Sequence, residues 1–115
     1  MGKLTTHILD TAGGKPGSNI SIDLYRLNAG RTLVKSVVTN NDGRTDAPLL
    51  EDSEFETGVW ELVFGVGAYY RNNKTKSTEP AFLEDVVIRF TLTADDHFHV
   101  PLLVSPFGYS TYRGS

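Results

Sequence analysis

The feature that most constrains the fold is a succession of short segments in which apolar and polar side chains alternate. Residues 19–27 contain the run Ile-Ser-Ile-Asp-Leu-Tyr, which places three aliphatic side chains on one face of an extended chain. Residues 57–64 and 85–93 alternate in the same way, and residues 31–39 are rich in β-branched side chains. A period of two is that of a β-strand with one buried face, so these four segments are predicted to be strands.

Turn-forming residues separate these segments at short intervals. Glycine, proline, asparagine and aspartate cluster at residues 13–17, 28–30, 40–43 and 105–108. A weaker strand is predicted at 4–10, and the segment that starts at residue 97 supplies two more. Seven or eight short strands with turns at this spacing predict an all-β sandwich of two packed sheets.

One segment breaks the alternation. Residues 65–72 lack a period of two and are predicted to form one short helix between strands. Residues 72–80 are polar and indicate a surface loop. Because we find no internal repeat and no linker, we expect residues 1–115 to form a single domain.

Composition excludes several classes of function. The net charge of −3 and the isoelectric point near 5.5 argue against nucleic acid or an anionic membrane as the main partner. The chain has no cysteine, which rules out disulfides and thiolate metal ligands. Neither an apolar signal core nor a stretch of about 20 apolar residues is present, so we expect a cytoplasmic protein.

The three histidines are the first candidates for chemistry. In the predicted strand 97–104, Phe98 and Val100 share the core face, so His97 and His99 point away from it. They are either solvated side chains or, for one of them, a general base near neutral pH. His7 lies in the first predicted strand, and the three histidines together could also bind zinc. Since no carboxylate or thiolate occurs at a recognisable ligand spacing, we expect no metal site.

Arg44 follows the turn at residues 40–43. It is a solvated charge, the partner of an adjacent aspartate, or a substrate-binding residue. In a site, its rigid fork of donors would grip a planar, oxygen-rich substrate. Its charge would also favour the neutral form of a nearby imidazole. No candidate nucleophile stands out, which favours direct attack by water.

The last four residues are unusual for a chain terminus. Tyr112 and Arg113 carry a phenol and a guanidinium, where termini usually carry small polar residues. The segment is either a final edge strand or part of a functional site.

Three segments together resemble the transthyretin-like 5-hydroxyisourate hydrolases. They are LTTHILDTAGGKPG at residues 4–17, NDGRTD at 41–46 and HFHVPLLVSPFGYSTYRGS at 97–115. Their order and separation agree over the full chain. The resemblance implies a transthyretin-like β-sandwich of two four-stranded sheets with one short helix. It also implies a homotetramer, a dimer of dimers, with sites in a channel where the dimers meet.

The resemblance also implies roles for individual residues. The catalytic residues of the family fall on His7, Arg44 and His99. The substrate-binding ending of the family falls on Tyr112, Arg113, Gly114 and Ser115. His97 matches a family position that is not central to the implied chemistry, and no cofactor or metal is implied.

The activity implied is hydrolysis of 5-hydroxyisourate in urate degradation, with His99 as the expected base. Two alternatives stay open. A carrier of aromatic ligands would use the same channel without catalysis, although transthyretin itself lacks this histidine set and this ending. A zinc hydrolase would use the three histidines as ligands and would lose activity when the metal is removed.

Overall fold

The computed structural model describes residues 2–73 and 80–114. In these ranges it contains nine β-strands, one α-helix (α1) and one 3-10 turn at Asp52–Glu54. The elements are β1 (Lys3–Asp10), β2 (Lys15–Pro16), β3 (Ser21–Leu27), β4 (Arg31–Val38), β5 (Leu50–Glu51), β6 (Gly58–Phe64), α1 (Val66–Asn73), β7 (Val86–Leu92), β8 (His97–Ser105) and β9 (Gly108–Thr111). The predicted strands and the predicted helix are confirmed. The predicted loop at 72–80 lies mostly outside the described residues.

The strands form two sheets packed face to face. One sheet has the order β4-β3-β6-β7, and the other has the order β2-β1-β8-β9 with β5 also paired to β1. The all-β sandwich is therefore confirmed, but the second sheet has five strands where four were expected. The additional strand arises because two-residue strands pair with opposite ends of β1. Pro16 of β2 pairs with Leu9, and Leu50 of β5 pairs with Leu4.

The core lies between the sheets and follows the alternation of the sequence. Every second residue of β1 from Leu4 to Asp10 is buried, and so is every second residue of β8 from Phe98 to Val104. The opposing sheet contributes the aliphatic and aromatic side chains of β3, β6 and β7. Removing this apolar surface from water is the main force that holds the sheets together. The other face of β1 and β8 is left for function.

A buried carboxylate attaches α1 to the end of β1. Asp10 is 2 % exposed and accepts hydrogen bonds from the hydroxyls of Tyr69 and Tyr70 at 2.7 and 2.9 Å. The backbone N–H groups of Ala12 and Gly13 donate to the same carboxylate. Burial alone would raise the pKa of Asp10, but these four hydrogen bonds outweigh it, and the pKa lies below its ordinary value. The cluster fixes the helix and the first turn to one strand end.

No helix in the described part of the chain is long and apolar enough to cross a membrane.

Candidate active site

The parallel pairing of β1 with β8 brings the histidines together. These strands are far apart in the chain, yet Thr5 pairs with His99 and His7 pairs with Pro101. Paired residues of adjacent strands point to the same face of a sheet, and so do residues two apart on one strand. His7 and His99 are therefore diagonal neighbours on the outer face of the five-stranded sheet. His97 lies on the same face, farther from His7.

A tight turn places Arg44 beside His7. Gly43 has a φ of +74°, and a Cβ there would lie 2.4 Å from the carbonyl oxygen of Ile8, so only glycine fits. The side-chain oxygen of Asn40 accepts hydrogen bonds from the N–H groups of Asp42 and Arg44. The N–H of Ile8 donates to the carbonyl of Gly43 at 2.8 Å, which fixes the turn to β1.

Arg44 consequently forms an isolated β-bridge with His7. Its side chain is exposed, and none of the described residues forms a salt bridge or a side-chain hydrogen bond with its guanidinium. The alternative of a partner for a neighbouring aspartate is therefore not realised among the described residues. The five donors of the guanidinium are available for an external group.

A threonine hydroxyl links two of the histidines. Thr5 Oγ1 lies 2.8 Å from Nε2 of His97 and 2.8 Å from Nδ1 of His99. The contact with His99 leaves Nε2 as the ring nitrogen that no described residue uses. Thr5 did not emerge from the sequence as a site residue. The one available signal was its position two residues before His7, on the same face of a predicted strand.

The electrostatics favour neutral imidazoles. Burial lowers the pKa of His99, and the positive charge of Arg44 and the neighbouring His7 and His97 lower it further. Burial and the charge of Arg44 also lower the pKa of His7, while a hydrogen bond with the backbone of Asp42 acts in the opposite direction. Both pKa values lie below the ordinary 6.5, so both rings are mainly neutral near neutral pH. A neutral ring is the form that accepts a proton.

The C-terminal segment returns to the same strand. Gly114 forms an isolated β-bridge with His99, and its N–H donates to the carbonyl of His99 at 2.7 Å. A Cβ at position 114 would lie 2.9 Å from Cδ2 of the His99 ring, so a glycine is needed for the ring to occupy its place. The structure thus brings Gly114 into contact with a predicted catalytic residue.

Arg113 and Tyr112 lie near Phe98 and Val100, on the side of β8 that faces away from the histidines. The guanidinium of Arg113 lies 4.2 Å from the ring centre of Phe98 and 3.5 Å from the carboxylate of Asp96. Tyr112 is 61 % exposed and lines a largely apolar cavity of about 270 Å³ together with Arg113 and Val100. Arg113 therefore anchors the tail to the start of β8. Ser115 lies outside the described residues.

The histidine face itself is open. A hollow of about 280 Å³ adjoins it and is lined by Asp96, His97, Arg113 and Gly114. Neither this hollow nor the apolar cavity is lined by His7 or Arg44. Among the described residues, no three histidine, cysteine or acidic side chains are arranged to hold a metal ion. The arrangement offers neutral imidazoles and one cation on a single face, which suits proton transfer beside a polar, anionic group.

Comparisons with known proteins identify the family of the chain. The model of the HIUase/Transthyretin family matches residues 4–114. A protein of Mesorhizobium japonicum described as 5-hydroxyisourate hydrolase is 59 % identical over 99 % of this chain and 93 % of its own length.

Solved structures are similar throughout the fold. The structure of Klebsiella pneumoniae 5-hydroxyisourate hydrolase has a TM-score of 0.83 and 33 % identity, with both chains fully covered. Sea bream transthyretin in complex with thyroxine has a TM-score of 0.87 and 27 % identity, over 97 % of this chain and 94 % of that one. An (S)-allantoin synthase has a TM-score of 0.94 and is 44 % identical over 99 % of this chain. The match covers 44 % of the length of the synthase chain. The chain belongs to the HIUase/Transthyretin family.

Proposed function

We propose that this protein hydrolyses 5-hydroxyisourate to 2-oxo-4-hydroxy-4-carboxy-5-ureidoimidazoline in urate degradation. The observation that carries the proposal is the convergence of His7, His99 and Arg44 on one sheet face of a chain whose full-length relative bears the hydrolase name. Because no candidate nucleophile stands out in the sequence, we take water as the attacking group.

The chemistry requires a base and a proton carrier. Water adds to the lactam carbonyl of the six-membered ring while the Nε2 atom of His99 takes its proton. Cleavage of the carbon–nitrogen bond then opens the ring, and the departing nitrogen receives a proton. His7 lies diagonally from His99, where it can orient the water or transfer that proton. No cofactor or metal takes part in this scheme.

Arg44 supplies the positive charge. Its unpaired guanidinium would orient the oxygen-rich substrate and stabilise the negative charge that develops on the carbonyl oxygen. The tail, residues 112–115, is proposed to bind the substrate through the part that returns to His99, while Arg113 anchors it to the start of β8. Gly114 supports this role because its N–H is bonded to the strand of His99 and its backbone packs against the ring.

The site also gives a reason for assembly. In the described residues, β7 pairs only with β6 and β9 pairs only with β8, so each sheet ends in a free strand edge. Residues of β7, β8 and β9 line one common cavity, which places these two edges near each other. The histidine face is open and would be enclosed by a second copy. We therefore propose a homotetramer, a dimer of dimers, in which the sites lie between dimers. We also propose that each chain is a single domain and that the protein is cytoplasmic.

The alternative function is that of a ligand carrier, which the similarity to thyroxine-bound transthyretin favours. A carrier needs shape and apolar contact, whereas this face presents two neutral imidazoles and an unpaired guanidinium. The proton-transfer groups argue for the enzyme.

The test is an assay with urate and urate oxidase, which generate 5-hydroxyisourate in place. We expect this protein to accelerate the decay of its absorbance and to give an optically active product, measured by circular dichroism. His99→Asn and Arg44→Ala should each remove most of the activity. Arg26→Ala is the matched control, because Arg26 lies on the other sheet in an ion pair with Glu56.

Three outcomes separate the alternatives. Unchanged decay, a racemic product and saturable binding of thyroxine would support the carrier and overturn the hydrolase. Loss of activity on treatment with a chelator would support zinc chemistry. Full activity in both His99→Asn and Arg44→Ala would show that the site lies elsewhere.

A further inference from the structure

We propose that Thr5 is a positioning residue that sets the tautomer of His99. This inference rests on the proposed function, because it explains how His99 is held in the form that a base requires. Thr5 lies opposite His99 in the parallel register, so its side chain lies on the same sheet face as the histidines.

The hydrogen-bonding capacity of a hydroxyl carries the argument. Thr5 Oγ1 lies 2.8 Å from one nitrogen of each histidine, Nε2 of His97 and Nδ1 of His99. A hydroxyl has a single proton to donate and two lone pairs that accept. It can therefore donate to at most one of the two rings, so at least one ring must donate its N–H to Oγ1. The tautomers of the two histidines are coupled through one proton.

Two arrangements use the hydroxyl proton. In the first, Nδ1–H of His99 donates to Thr5, which donates to Nε2 of His97. In the second, Nε2–H of His97 donates to Thr5, which donates to Nδ1 of His99. Only the first leaves a lone pair on Nε2 of His99, and only this lone pair can take a proton from water.

The surroundings favour the first arrangement. Arg44 bridges to His7, the diagonal neighbour of His99, and Thr5 contacts Nδ1 of His99, so Nε2 is the nitrogen left for other partners. A nearby cation favours a lone pair over an N–H at that nitrogen. His97 lies next to Asp96 and pairs with Lys3, four positions along β1 from the His7 to which Arg44 is bridged. The first arrangement also gives His97 a role. Its Nε2 atom accepts the hydroxyl proton of Thr5, which completes the series of hydrogen bonds that starts at His99.

The control of tautomer by the partner of the other ring nitrogen is a general property of histidine. A neutral imidazole in water carries its proton mainly on Nε2, which would present an N–H to the substrate. In the first arrangement Thr5 reverses this preference at His99 by accepting from Nδ1–H, and a neutral His97 then also carries its proton on Nδ1. The methyl group of the threonine is not needed for this effect, but the hydroxyl is.

The experiment compares Thr5→Val with Thr5→Ser. Valine keeps the shape of threonine without the hydroxyl, and serine keeps the hydroxyl. Nitrogen-15 NMR of the imidazole side chains reports which nitrogen of each ring is protonated. In the unmodified protein and in Thr5→Ser, we expect a protonated Nδ1 and a bare Nε2 on His99. In Thr5→Val, we expect the proton to move to Nε2.

Kinetics supply the second measurement. We expect kcat to fall by about 10- to 100-fold in Thr5→Val, the scale of a displaced general base, with KM little changed. Thr5→Ser should stay close to the unmodified protein. Thr11→Val is the control, because Thr11 also donates a side-chain hydrogen bond at the end of β1, to the carbonyl of Val104, without touching a histidine.

The result that overturns the proposal is an Nε2–H tautomer of His99 in the unmodified protein, or the same tautomer in the unmodified protein and in Thr5→Val. The NMR measurement needs no substrate. A protein that fails to act on 5-hydroxyisourate but shows the expected tautomers would refute the proposed function and leave the role of Thr5 standing.

Discussion

Replacement of Gly114 by alanine tests whether the C-terminal segment confines the catalytic ring. A Cβ at this position would lie 2.9 Å from Cδ2 of His99 and 3.2 Å from its Cβ, whereas ordinary contacts begin at 3.4 Å. The ring edge must therefore retreat by about 0.5 Å. The Cβ of His99 cannot swing aside, because it is fixed to β8, so the ring or the tail must move.

The expected effect falls on catalysis more than on folding. A misplacement of about 1 Å in a reacting group can cost 10²-fold, so a shift of about half that size predicts a loss of about 10-fold in kcat. This loss corresponds to about 1.4 kcal/mol of transition-state stabilisation. Stability should change by less than about 1 kcal/mol, because alanine also reduces the entropy of the unfolded chain. The assay is the decay of 5-hydroxyisourate absorbance under saturating substrate, with urea unfolding measured in parallel.

Gly108 provides the matched control. It lies in the hairpin that leads into the tail, and a Cβ there would have, among the described residues, a single neighbour within 4 Å, Ser105 Oγ at 4.0 Å. Gly108→Ala should retain full activity. Normal kcat in Gly114→Ala would refute the steric reasoning, and an equal loss in both variants would show that the hairpin is sensitive for another reason.

Three further predictions concern pH, stability and the tail. The acid limb of the kcat/KM profile should lie below pH 6.5, because burial and Arg44 lower the pKa of His99, and Arg44→Ala should move the limb toward 6.5 in a pH–rate titration. An acid limb that does not move in Arg44→Ala would contradict the effect of the Arg44 charge on the pKa of His99. Asp10→Ala should lower the free energy of unfolding by at least about 3 kcal/mol, since two buried tyrosine hydroxyls lose a charged acceptor worth about 1.5 kcal/mol each. The lowered pKa of Asp10 means that this difference is complete above pH 3.8 and shrinks as the pH falls further, as urea unfolding at matched protein concentrations would show. Deletion of residues 112–115 should impair kcat far more than thermal stability, and a truncated protein with normal turnover would return the tail to a structural role.

The strands could be predicted because the alternation of apolar and polar residues within each strand shows which face is buried. Alternation in β3, β6, β7 and β8 identifies the inward face wherever one side of a sheet packs on the core. Glu61 shows the limit of this logic. It lies on the outer face of β6, as a charged residue should, yet it is 4 % exposed. Arg89 of the adjacent strand β7 and Arg31 of β4, two strands away on the other side, both donate to it. Cross-strand ion pairs of this kind depend on register, which local sequence does not contain.

The number of strands is a second feature that local sequence does not determine. β2 and β5 are two residues long and exist only because they reach the free edge of β1. A segment so short has no periodicity to detect, so the five-stranded sheet could not be predicted from the pattern. The family resemblance supplied His7, Arg44 and His99, and the alternation within 97–104 independently placed His97 and His99 outside the core.

The sequence by itself determined that this chain forms a β-sandwich, which faces of its strands are buried and which residue types are available for proton transfer. It did so because burial and turn formation leave local signals in the sequence. Alternation with a period of two marks the buried face of a strand, and glycine, proline and asparagine mark the turns. Only the tertiary structure decided what touches His99. Parallel pairing of β1 with β8 sets Thr5 against Nδ1 of the ring, and the returning tail sets Gly114 against Cδ2. These contacts join residues more than 90 positions apart in one case and 15 apart in the other, and they depend on a strand register that no local pattern encodes.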